Sequence, residues 1–142
     1  VHVLAVIAWV GGGITLTLVA GRAARLEGNA LAPVARIGAS LGGYFGAVSG
    51  VAFLAGVAMM FTEEAPGWDQ AWISIGLAVW FISAFLGARM ISPRYVKLAD
   101  AAEAGDGAAV TAARKSLTPI AMTDLTLLAI AVAAMVFQWG SR

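Results

Sequence analysis

Cysteine is absent from the chain, which excludes disulfides, iron–sulfur ligation, covalent haem attachment and thiol chemistry within it. Charge is scarce as well. Only 12% of the 142 residues are Asp, Glu, Lys or Arg, against about 25% in an ordinary soluble domain. So few charges cannot cover a globular surface, and the apolar surplus, 61% of the chain with a mean hydropathy of +0.86, must face something other than water. A net charge of +1 offers no basic face for nucleic acid. Phosphate loops, nucleophile elbows and zinc motifs are missing too, and the glycine-rich stretches fall inside apolar runs rather than after strands.

What remains is four long apolar runs. Val1 to Ala20 carries no charge apart from a protonated His2, Gly38 to Phe61 carries none, Ala71 to Ser92 carries only Arg89, and Pro119 to Trp139 carries only Asp124. Each is close to the ~20 residues a helix needs to cross a hydrocarbon layer roughly 30 Å thick. A membrane barrel would instead show short segments of alternating polarity. The expectation is an all-α, polytopic membrane protein: one domain over residues 1–142, a bundle of four transmembrane helices at about 1–20, 38–61, 71–92 and 119–139. The first run is longer than a signal-peptide core and has no basic leader, so it reads as a retained helix. The lack of an initiator methionine implies that a few residues precede Val1.

The basic residues are one-sided. Arg22, Arg25 and Arg36 lie between the first two runs, and Arg89, Arg94, Lys97, Arg114 and Lys115 in or beside the third connection, which accounts for eight of the nine. The middle connection holds Glu63, Glu64 and Asp69. Basic loops stay in the cytoplasm, so the middle loop and both termini are expected outside, with Trp68, Trp72 and Trp139 near the outer interface. The third connection, 93–118, has room for a cytoplasmic helical hairpin. Ser92 and Pro93 read as N-cap and first residue of one piece ending near Gly105, Asp106 as the cap of the next, and Pro119 as the start of the last span.

Gly38, Gly42, Gly46 and Gly50 recur every four residues, beside Ala39, Gly43 and Ala47. Residues four apart share a helix face, and small residues there let backbones approach where lipid supplies no hydrophobic drive. Two uses follow: packing against the first helix at Gly11, Gly12 and Gly13, or a seat for another membrane subunit or a flat pigment. Ionisable residues within spans are costly enough to be functional candidates. Arg89 and Asp124 match in depth near the cytoplasmic face and are expected to pair, as a structural clamp or as part of a proton or ion relay. His2, the only histidine, lies at the outer end, where a lone imidazole could supply an axial ligand to a haem-type tetrapyrrole or one ligand to copper. Met59, Met60 and Met135 are expected at the same end.

The opening His2, Val3, Leu4, then Trp9, Val10, Gly11, Gly12, resembles the first helix of a bacterial family of small integral membrane proteins of unknown function, with looser similarity to copper-resistance D proteins. The run Ser83 to Ala88 followed by Pro93, and Asp124 with Leu125, Leu127, Leu128 and Met135, resemble the same family across nearly the whole chain. A Met-Val-x-Lys-Pro-like tail common in that family is replaced here by Met135, Val136, Phe137, Gln138, Trp139. The resemblance implies a four-helix fold and a bacterial cytoplasmic membrane, without an activity. A more distant similarity is to four-helix membrane protoporphyrinogen oxidases, which also place a histidine early in the first helix. Their other polar residues are not recognisable, so that activity is not carried over.

Three functions are therefore expected in order: a non-catalytic membrane protein serving as accessory subunit of a larger complex, a tetrapyrrole- or copper-handling protein using His2, and a small transporter. The orientation is directly testable. A reporter that works only outside the cytoplasm is expected to be active when fused after Arg142; activity there of a cytoplasm-only reporter would reverse the topology.

Overall fold

The structure, a computed structural model, describes residues 1–25, 30–62 and 67–140. Glu63, Glu64 and Arg142 of the charge pattern lie outside the described residues. All regular structure among those described is helical: α1 (His2–Ala23), α2 (Leu31–Ser40), α3 (Gly42–Met59), α4 (Ala71–Phe85), a π-helical turn (Leu86–Ile91), α5 (Ser92–Glu103) and α6 (Gly107–Val136). Four continuous helical stretches, His2–Ala23, Gly42–Met59, Ala71–Glu103 and Gly107–Val136, are long and apolar enough to cross a membrane. Side chains such as Leu4, Ile7, Leu18, Leu54, Phe81, Phe85 and Ile130 point outward and are exposed. A helix satisfies its own backbone polar groups, so such a surface is at home in lipid.

The boundaries depart from the sequence reading in three places. The second run does not form one helix over 38–61. Leu41 interrupts it, so that Gly38 belongs to α2 and Gly42 opens α3. The Ser40, Leu41, Gly42, Gly43 string supplies the small residues at which helices commonly kink. Nor does Ser92 begin a separate helix, because the chain runs without a break from α4 through the π turn into α5. Proline in a helix lacks an N–H and its ring presses on the carbonyl four residues back, here Arg89. The wider π turn directly before Pro93 gives that ring room. Pro119, likewise, sits inside α6 on an exposed face rather than starting it.

The 93–118 connection is thus no separate hairpin but the overhang of two long helices. Spans of 33 and 30 residues measure roughly 50 and 45 Å at 1.5 Å per residue, so both project well past a ~30 Å hydrocarbon layer. One tight turn joins them. Gly105 takes a positive φ of 69°, and the amides of Asp106 and Gly105 return to the carbonyls of Ala101 (3.1 Å) and Ala102 (3.2 Å), a Schellman ending that glycine suits. The Asp106 carboxylate then accepts from the Ala109 amide at 2.9 Å, capping α6 as the sequence led one to expect.

On this overhang α2 lies across α5 and forms the best-buried core of the molecule: Leu31, Ala32 and Ala35 against Tyr95, Leu98, Ala99 and Ala102, closed by Ala23 and Leu117. Gly38 makes the approach possible, since a Cβ there would lie 2.6 Å from the Tyr95 ring. Arg36 fastens the edge: its Nε and one terminal nitrogen donate to Glu103 at 2.9 and 2.6 Å, and the same terminal nitrogen donates to Asp100 at 2.9 Å. Hydrogen bonds to these carboxylates raise the Arg36 guanidinium further above its already high ordinary value. Leu98, 2% exposed, sits at the centre of this cap. Leu98→Ala is expected to lower stability by about 2–5 kcal/mol, whereas Val96→Ala, on the exposed face, should change it by under about 0.5 kcal/mol. Reversible denaturant unfolding in detergent would read both.

Candidate functional site: two stacked cavities

Short-side-chain helices leave space between them, and the space here is divided in two. One cavity of about 560 Å³ occupies the end of the bundle that carries His2, Met60, Trp68, Trp72 and Met135. A second, of about 510 Å³, lies toward the α2–α5 cap and is lined by Thr17, Ser49, Ser83, Tyr95 and Asp124 among apolar residues. Trp9, Trp80 and Leu128 line both and form the waist between them. Trp80 is anchored there by donating its indole N–H to the Ser49 carbonyl at 3.0 Å and by stacking on Phe53 at a centroid distance of 4.2 Å.

In the first cavity the histidine is held in a defined way. His2 Nδ1 lies 2.7 Å from the Ala52 carbonyl oxygen. A carbonyl only accepts, so Nδ1 carries the proton and, in the neutral ring, Nε2 keeps its lone pair. Gly56, one turn beyond Ala52, makes room for the imidazole, because a Cβ there would stand 3.0 Å from the ring. Gly76 does the same on the opposite wall for the Met135 methyl group, which a Cβ would strike. Met59 and Met60 line this cavity together with Met135 and His2. The structure thus gathers the residues that the sequence placed at one end. Among the described residues no three His, Cys, Asp or Glu side chains cluster for metal binding.

In the second cavity Asp124 is 9% exposed and Ser83 3%. They face one another between α6 and α4, yet Asp124 Oδ1 and Ser83 Oγ are both buried without a completed hydrogen bond. The expected Arg89–Asp124 pair does not form. Arg89 is exposed on the π turn, and the only ion pairs among the described residues are those of Arg36. Depth alone had suggested the match. Ser83 faces Asp124, and Arg89 six residues on falls on another side of the helix. Ser83 enters the sequence reading only as the start of a family-like run and without a chemical role, although a serine in an apolar run opposite an intramembrane carboxylate is the signal that could have marked it.

The glycine series is divided rather than continuous. Gly38 and Gly42 face Tyr95 and Ser92 of α5, while a Cβ at Gly43, Gly46 or Gly50 would meet nothing within 4 Å. Packing of α1 on α3 uses Gly12, which receives the Phe45 ring, and Gly13 faces Leu125 of α6. Kinking at Leu41 is the reason: it turns Gly38 out of line with the residues that follow it.

No protein-family model, curated protein or solved structure matches the chain.

With Arg89 and Asp124 apart, a double-mutant cycle of Arg89→Ala and Asp124→Asn is expected to be additive within about 0.5 kcal/mol in unfolding free energy. A coupling of about 1 kcal/mol or more would restore the clamp.

Proposed function

We propose that this is a non-catalytic membrane protein of the bacterial cytoplasmic membrane, basic end inside and both termini outside, that holds a flat apolar ligand of the haem-type tetrapyrrole class at His2. The observation that carries the reading is the 2.7 Å approach of His2 Nδ1 to the Ala52 carbonyl oxygen. An imidazole fixed through Nδ1–H to the Ala52 carbonyl presents Nε2 as a ligand beside an apolar cavity of about 560 Å³, within the ~300–1,000 Å³ of small-molecule sites. Anchoring one ring nitrogen to a carbonyl is the usual way a ligating histidine is oriented.

The cavity lining suits such a group. Trp9, Phe53, Trp72 and Trp80 supply flat apolar walls, which suit a macrocycle. No Lys or Arg lines the cavity, so any ring carboxylates would have to reach water at the outer rim. When bound, a metallated tetrapyrrole would supply redox or light-absorbing chemistry; this chain would supply His2 as ligand and exclude water with its tryptophans. Copper shares the same histidine, and the thioethers of Met59, Met60 and Met135 suit the cuprous ion.

A second reading, an accessory subunit, is favoured by the open space at Gly43 and Gly50, which line neither cavity and where a partner helix could approach closely. A stoichiometric partner recovered from native membranes would support it, and a lone monomer would count against it.

Purification from native membranes followed by an optical spectrum and metal analysis tests the main reading. A Soret band is expected, or copper in its place, and His2→Ala should abolish either. A colourless, metal-free protein that also fails to take up added haemin, or a band unchanged in His2→Ala, would overturn it.

A further inference from the structure

The Asp124 cavity is distinct from the His2 cavity, and its chemistry asks for another ligand. We propose that it is a binding site for an organic ammonium with an apolar body, whose N–H donors engage the Asp124 carboxylate and the Ser83 hydroxyl. This inference does not depend on a ligand at His2.

Asp124 Oδ1 and Ser83 Oγ are buried and neither completes a hydrogen bond of full geometry, although the Ser83 hydroxyl lies close enough to act on the carboxylate; their residues are 9% and 3% exposed. Buried polar atoms are paired in the large majority of cases; the Ser83 hydroxyl has one proton to turn toward the carboxylate, which leaves Asp124 with acceptor capacity for a further donor. Charge comes next. No Lys, Arg or His lines this cavity, and Arg89 is turned outward and exposed. Within the cavity lining, only a cation that arrives with a ligand can offset an ionised Asp124 carboxylate.

The walls then select the kind of cation. A bare metal ion would want about six or more oxygen ligands, whereas this cavity offers one carboxylate and scattered hydroxyls among mainly apolar side chains. An alkylammonium brings three N–H donors of its own and an apolar tail. Trp9, Phe45 and Trp80 line the cavity, and aromatic faces attract cations that have been removed from water. The volume of about 510 Å³ falls within the usual range of small-molecule sites.

Tryptophan fluorescence of the protein in neutral maltoside detergent provides the test. The probe is 8-bromooctylammonium, whose bromine quenches nearby indole rings; 8-bromooctanol is its uncharged counterpart. An alkylamine is protonated at neutral pH, as the lysine side chain is. The wild-type protein is expected to half-saturate with the amine at a concentration roughly ten- to a hundredfold below that for the alcohol, the size of a charge-assisted hydrogen bond. Asp124→Asn should abolish that preference, Ser83→Ala should weaken it several-fold, and His2→Ala should leave it intact. Gly46→Leu, whose side chain enters open space on the wall of the same cavity, should block amine binding even if Asp124→Asn fails to fold. Equal half-saturation by amine and alcohol in the wild-type protein overturns the proposal. So does an amine preference that survives in folded Asp124→Asn or in Gly46→Leu.

Discussion

Inside a hydrocarbon layer a backbone amide or carbonyl has no water to turn to, so each must be paired within its own helix. Everything else in this molecule follows from that constraint. With the backbone self-sufficient and the surroundings as apolar as the side chains, helices gain little by merely hiding leucines from one another. What they gain comes from close contact, and the close contacts here are made at glycines: Gly12 under Phe45, Gly38 under Tyr95, Gly56 under His2, Gly76 under Met135. Each is a place where a missing Cβ admits a larger group from a neighbouring helix.

The same economy leaves the bundle unevenly filled. Where α2 crosses α5 the packing is tight and Ala35 and Ala99 are fully buried. Where such a surface would otherwise meet water, its burial contributes in the ordinary way, at roughly 25 cal/mol per Å² of apolar surface. Between the spans, by contrast, two cavities persist on either side of the Trp9, Trp80 and Leu128 waist. Their chemistry differs in kind. One presents an oriented imidazole among tryptophans and methionines, the other a buried carboxylate beside a buried hydroxyl. A tightly packed cap at one end and open space through the middle are the two contrasting parts of the bundle.

Much of this was legible in the residues themselves. Four apolar runs, the one-sided distribution of Arg and Lys, the Asp106 cap and the isolation of His2 and Asp124 within apolar stretches are local properties. Local spacing and solvation energy decide them. The corrections concern helix boundaries and side-chain partners. Pro93 and Pro119 look like helix starts because proline usually is one, yet the π turn before Pro93 and the exposed position of Pro119 let the helices continue. Arg89 and Asp124 look like a pair by depth, but orientation around the helix assigns Asp124 to Ser83. Arg36 drew notice only as a topology signal, and its clamp onto Asp100 and Glu103 joins residues more than sixty positions apart.

Hydropathy and length determined by themselves that this chain forms helices long and apolar enough to span a membrane, because the cost of placing each side chain in lipid depends on that side chain alone. Which glycine receives which ring, which helix face a serine turns toward an aspartate, and where space is left between spans were decided only in three dimensions. Those outcomes depend on the relative rotation and kinking of whole helices, and no single residue carries that information.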